Sequence, residues 1–197
     1  FNKKNTSKYL FIHIPKTGGT SFKFNVIYNP RLKKEIEIYH NITYPPRKER
    51  LLNIFKEKRK MFTLLRDPTD TIISAYYHFK HLVKIKNFVF FDQVSNMQTK
   101  FLLGYDIFSE YKIKTSEFED LIKLIDDKKL IVGIQKRKSM IKIYNLLELR
   151  FDEVDNYILN KKVGISYKKK DVSDNLREYI KKNNNFDYRL FDYVIKS

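Results

Sequence analysis

Residues 9–21 read YLFIHIPKTGGTS, and the fold follows from how this stretch divides. Tyr9–Ile14 is short, aromatic and β-branched and is closed by Pro15, which predicts a buried β-strand. Gly18 and Gly19 come next, and Thr20-Ser21 stands where a helix is capped, predicting a helix from Ser21 to about Tyr28 that ends at Asn29-Pro30. Such a strand–turn–helix suits an anion. Glycine lets the backbone come close, and the helix start offers free N–H groups and the positive end of its dipole. Lys16 adds a full charge, while Thr17, Thr20 and Ser21 add hydroxyl donors, so a phosphate or phosphosulfate is the expected guest. The order is not that of a Walker A loop, because Lys16 precedes the glycines instead of following them. A tight turn with an incidental lysine is the competing reading.

Outward from this turn the alternation continues. Glu35–His40 (EIEIYH) reads as a short strand, Thr43–Arg47 as a proline-broken loop and Leu51–Lys58 as a helix. Lys60–Leu65 (KMFTLL) is a second buried strand. Asp67-Pro68 then supplies an N-cap and a first-turn proline, starting a helix that runs past Ser74 and Tyr77 toward Leu82. Phe88–Phe91 reads as an aromatic loop, and Gln93–Leu103 as a helix stopped by Gly104. Ser116–Asp126 carries a Ser cap with Glu119 three residues on. Leu130–Ile134 is a strand, Lys138–Leu149 a helix, and two helices follow from Val172. Strand–helix alternation predicts an α/β fold: one domain over residues 1–197, with a P-loop-like central parallel sheet flanked by helices on both faces.

Composition narrows the classes. With 42% hydrophobic and 15% aromatic residues in 197, the chain can bury a core, and no apolar run approaches the ~18 residues of a membrane span. Membrane association is expected only through a segment upstream of Phe1. The absence of cysteine removes disulfides, thiolate metal sites and cysteine nucleophiles, and leans toward a reducing, cytoplasmic setting; a Golgi location would need an upstream anchor. No cluster of metal-ligating residues is apparent, so no metal is expected. Forty Lys and Arg against 23 Asp and Glu give a net charge of +17, a field that attracts phosphorylated and sulfated ligands. An AT-rich genome, which enriches Lys, Asn, Ile and Tyr together, accounts for part of that excess.

The second site is Arg66-Asp67-Pro68. Arg66 would emerge at a strand's carboxyl end, the edge where open α/β sheets bind ligands. Ser74 would lie ~10 Å along the following helix from Asp67, on nearly the same face. An arginine and a hydroxyl so placed hold one phosphate from two directions.

Together, KTGGTS after a strand ending in HIP, and RDP-x5-SAYY after another, resemble the sulfotransferases that use 3′-phosphoadenosine 5′-phosphosulfate (PAPS), especially the carbohydrate branch that includes heparan 2-O-sulfotransferases. Asn96–Gly104 (NMQTKFLLG) is similar to that branch's N-x-Q-x-R-x-L-x-G helix, and Ile131–Ile134 to its VGI strand. Ser166–Lys170 resembles a late basic loop, and Asp187–Val194 (DYRLFDYV) the usual ending. Two departures stand out: Thr71 replaces a usual arginine, and Gln135-Lys136 follow VGI where a glutamate is common.

The resemblance implies roles. Lys16 to Ser21 would hold the 5′-phosphosulfate, with Lys16 at the bridging oxygen. Arg66 and Ser74 would hold the 3′-phosphate, and Lys168, Lys169 and Lys170 would close over the nucleotide, although a solvated charge run reads the same way. His40 is the expected general base, with Glu35 and Glu37 as fallbacks; His13 reads as structural, and His78 and His81 as exposed or packing residues. The product would be the desulfated nucleotide PAP, and the acceptor a hydroxyl, by family likeness on a carbohydrate. Two rivals remain: a P-loop-type kinase or NTPase, against which the loop order counts, and a non-catalytic polyanion or nucleic-acid binder driven by charge. No nucleic-acid partner is expected on the favoured reading.

Overall fold

The structure is a computed structural model that describes residues 7–39, 56, 59–79, 87–135, 137–146 and 172–197. Among these residues four strands, β1 (Tyr9–Ile12), β2 (Ile36–Tyr39), β3 (Lys60–Leu65) and β4 (Leu130–Ile134), form one parallel sheet in the order β2-β1-β3-β4. The parallel α/β sheet expected from sequence is thus present. Side chains alternate across it. Leu10, Ile12, Met61, Leu65 and Leu130 point to one core, and Tyr9, Phe11, Phe62 and Leu64 to the other.

Helices cover both faces. On the Phe11 face lie α1 (Gly19–Tyr28) and α2 (Pro30–Glu35), which bring Phe22, Val26 and Leu32. The aromatic rings there nest closely, with Phe11 and Phe22 centroids 4.5 Å apart and Phe22 and Phe62 edge to face at 5.3 Å. The opposite face is covered by α3 (Pro68–Phe79), α4 (Asn87–Gln93), α5 (Met97–Leu102) and α6 (Thr115–Asp126). After β4, α7 (Arg137–Leu146) returns to the Phe11 face with Ile143 and Tyr144. The terminal α8 (Asp174–Asn183) and α9 (Asn185–Lys196) pack on the other.

Several local expectations are corrected. Helix α1 begins at Gly19, two residues before Ser21, and Asn29 not only ends it but caps α2, its Oδ1 accepting from the Arg31 and Leu32 N–H groups at 3.0 and 3.2 Å. The aromatic run at residues 88–91 is helical, because Phe90 and Phe91 are both buried, against Tyr76. The helix expected over Gln93–Leu103 is interrupted by a turn at Asn96, whose φ of 53° is left-handed, and resumes as α5. In α6 the cap sits earlier than Ser116: Glu117, not Glu119, accepts the Lys114 N–H at 3.1 Å. Thr43–Arg47 and Leu82 lie outside the described residues, as does nearly all of Leu51–Lys58.

Candidate functional site

Between β1 and β3 the strand order reverses: the chain leaves β1 for β2 on one side and returns to β3 on the other. Ligand crevices of open α/β sheets form at such a point, outside the carboxyl ends of the strands. Both sequence motifs sit there. The loop after β1 turns through two left-handed residues, Lys16 with φ 65° and Gly18 with φ 86°. Thr17 is fully buried and donates its hydroxyl to the Ile14 carbonyl at 2.9 Å, so its side chain pins the turn from within, unlike the outward donor expected. Gly19 starts α1 directly against His13, where a Cβ would lie 2.1 Å from the imidazole Cδ2. His13, expected inside the strand, lies just past the end of β1 and is buried. Thr20 and Ser21 contribute the backbone of the first turn of α1.

Arg66 is the first residue past β3, and its Nη1 donates to the Lys16 carbonyl at 3.5 Å. It also faces Asp70 at 3.8 Å. Asp67 caps α3 through its Oδ1, which accepts from the Asp70 N–H at 2.9 Å, and Thr71 donates to the Asp67 carbonyl at 2.9 Å. Thr71 thus places a buried hydroxyl that tightens the helix start. Ser74 stands half-buried farther along α3.

Positive charge is crowded at this loop. Burial, and then the neighbouring Arg66 charge, hold the Lys16 ammonium below its ordinary pKa. His78, one turn beyond Ser74, is lowered by burial and then by the charge of Lys16. An anion between Lys16 and Arg66 would offset the repulsion that both now carry.

The structure brings the Lys16–Gly19 loop and Arg66 together. His40, Lys168, Lys169 and Lys170 lie outside the described residues. Glu35 and Glu37 sit toward the amino end of β2, paired with Arg31 and Arg59 respectively, away from the carboxyl edge. Three residues near the site were named from sequence without a role in it: Gln135 as a departure after the VGI strand, Gln98 within the Asn96–Gly104 motif, and His78 as an exposed or packing residue. Gln135, the first residue after β4, lies over Gly18, whose Cβ would come within 2.2 Å of its Nε2. Gln98 grips the Arg66 backbone, and His78 is exposed, its ring edge-on to Phe79 at 4.8 Å. For Gln135 a signal existed, since it follows a strand on the ligand-binding edge. Among the described residues no group of three or more His, Cys, Asp or Glu could hold a metal ion, and no helix is long and apolar enough to cross a membrane.

No family model matches the chain, and no curated protein matches it. A solved structure does: that of mouse sulfotransferase SULT7A1 complexed with PAP, with a TM-score of 0.52 and 13% identity over 98% of this chain and 90% of that one. At that identity the likeness speaks to architecture, and the chain has the parallel, helix-covered α/β fold of that sulfotransferase.

Proposed function

We propose that the chain is a sulfotransferase that uses PAPS and sulfates a hydroxyl group, with a carbohydrate as acceptor. The observation that carries this reading is the meeting of Lys16 and Arg66 at the switch point between β1 and β3, beside the start of α1. The fold shared with a PAP-bound sulfotransferase supports it, as do the KTGGTS and RDP-x5-S motifs. The residues fit the group, since two crowded cations and a helix N-terminus each gain from a phosphate.

PAPS supplies the sulfuryl group, whose S–O bond to phosphate breaks as a new S–O bond forms to the acceptor. Lys16 stabilises the negative charge that grows on the oxygen left behind. Arg66 and Ser74 hold the 3′-phosphate, and Gly18, Gly19, Thr20 and Ser21 hold the 5′ side through the start of α1. Lys168, Lys169 and Lys170 would add positive charge for the nucleotide's phosphates. His40 takes the acceptor's proton, placed just past the carboxyl end of β2 by sequence. His78, one turn past Ser74 on α3, is a second candidate for that proton, because burial and then the Lys16 charge lower its pKa and so favour the neutral imidazole a base needs.

The test is a melting comparison with PAP and AMP, joined to labelled sulfate transfer from PAPS to a panel of polysaccharides and small alcohols. PAP at 100 times its dissociation constant should stabilise the fold by ~2.7 kcal/mol, and AMP at the same concentration far less. Equal shifts would remove the 3′-phosphate assignment, and binding that collapses with salt regardless of the 3′-phosphate would favour a general polyanion binder.

A further inference from the structure

Arg66 falls between two elements. Strand β3 ends at Leu65, whose carbonyl is taken by the Gln135 N–H, and α3 begins only at Pro68. The N–H and C=O of Arg66 therefore belong to neither ladder, yet the direction of its side chain depends on how they are held. Gln98 holds both. Its Oε1 accepts from the Arg66 N–H at 3.0 Å and its Nε2 donates to the Arg66 carbonyl at 3.0 Å, a pairing like that of a neighbouring strand. Gln98 is 1% exposed, so water does not compete.

Gln98 is itself fixed from the end of the chain. Asp187, 1% exposed on α9, accepts from the Gln98 N–H at 3.1 Å, from the Thr99 N–H at 2.8 Å and from the Thr99 hydroxyl at 2.7 Å. The favour is returned by Asn96, whose Oδ1 accepts from the Phe186 and Asp187 N–H groups at 2.9 and 3.2 Å. Two helix starts, those of α5 and α9, thus cap each other, and the side chain emerging between them is Gln98. This gives physical content to Asn96, Gln98 and Asp187, three motif residues to which the proposed chemistry assigns nothing.

We propose that Gln98 is the positioning residue for Arg66, and that Asp187 of the C-terminal helix sets the place of Gln98 in turn. Its consequence for the 3′-phosphate rests on the sulfotransferase reading above; the backbone clamp does not. Gln98→Met keeps the length of the side chain and removes both hydrogen bonds. In the full chain it should lower the preference for PAP over AMP by about tenfold or more, leave AMP binding nearly unchanged, and add little to Arg66→Ala in the double variant. Asp187→Asn, which disturbs Gln98 without touching Arg66, should shift the preference the same way by less. Amide hydrogen exchange supplies a readout independent of nucleotide: the Arg66 N–H should be protected in the wild type and exchange faster in Gln98→Met, or in Asp187→Asn if the first variant does not fold. Loss of PAP and AMP binding in equal measure, or an Arg66 amide that exchanges alike in wild type and variant, would overturn the proposal. If the wild type itself prefers neither nucleotide, the sulfotransferase reading fails and the exchange result alone decides the clamp.

Discussion

His13 and Gly19 share one volume: the imidazole of the first fills the space that a side chain on the second would need, to within 2.1 Å of a Cβ. His13 is 3% exposed and stacked near Phe11, so it has little room to retreat. Gly19→Ala should therefore behave as overpacking and cost ~1–3 kcal/mol, read as a drop in melting temperature. At Gly18 the obstructing group is the exposed Gln135 side chain, which can swing away, so Gly18→Ala should be dominated by the strain of its φ of 86°. Restoring Gly19→Ala by His13→Ala, but not Gly18→Ala, would confirm the distinction.

The two cations at the switch point are expected to fail differently. Lys16→Ala should lose mainly turnover at saturating PAPS, by ~10²–10³, because the charge it meets grows in the transition state. Arg66→Ala should first weaken PAP binding. Steady-state kinetics and PAP titration separate the two; near-normal turnover in Lys16→Ala would refute its role.

Proton removal should leave a pH signature. If His40 is the base, turnover rises with pH through an apparent pKa of ~6–7, and His40→Ala flattens that limb, costs ~10²–10⁴ in turnover and spares PAP binding. Should the limb survive in His40→Ala and vanish in His78→Ala, the proton goes to His78. The lowered pKa of His78 would then place its limb to the acid side of an ordinary histidine. In that case Lys16→Ala, by removing the smaller of the two effects that lower it, should move the limb part of the way back up.

Lys100 offers a stability test away from the chemistry. Its ammonium is buried, donating to the Gln93 and Ser109 carbonyls at 3.0 and 2.6 Å, and burial brings its pKa down to about 8 despite the opposing pull of Asp187 and Asp106. Below that value both folded and unfolded chains hold the proton. Between about 8 and 10.5 the unfolded chain holds it while the folded one releases it, so Lys100 favours folding more as pH rises through this window. The stability difference between wild type and Lys100→Met should climb there, and a flat difference would refute the shifted pKa.

The strands Tyr9–Ile12, Lys60–Leu65 and Leu130–Ile134 were legible because strands buried on both faces are continuous apolar runs, each punctuated by proline, glycine or a cap. Lys16 and Arg66 were legible for a related reason, since a motif at a strand end is read locally. The aromatic run at Phe90 and Phe91 was not, because four apolar residues satisfy a strand, a loop or a helix equally. Nor was the break at Asn96, which is set by partners in α8 and α9 remote in sequence. Gln98 was legible as part of the Asn96–Gly104 motif but its role was not, because its contact is with the backbone of Arg66, and backbone atoms carry no sequence signal.

Lys16 occupies a conformation with φ 65° that glycine or asparagine adopts far more readily. Its side chain also stands half-buried beside another cation, and both effects lower its pKa. Neither feature favours lysine there, so a chain evolved for robustness alone would exchange it. Heat selection without an activity screen should therefore drift toward Lys16→Gly or Lys16→Asn, variants that melt higher and turn over less. The residue's persistence in a functional chain would be a record of selection acting on catalysis against the grain of the fold.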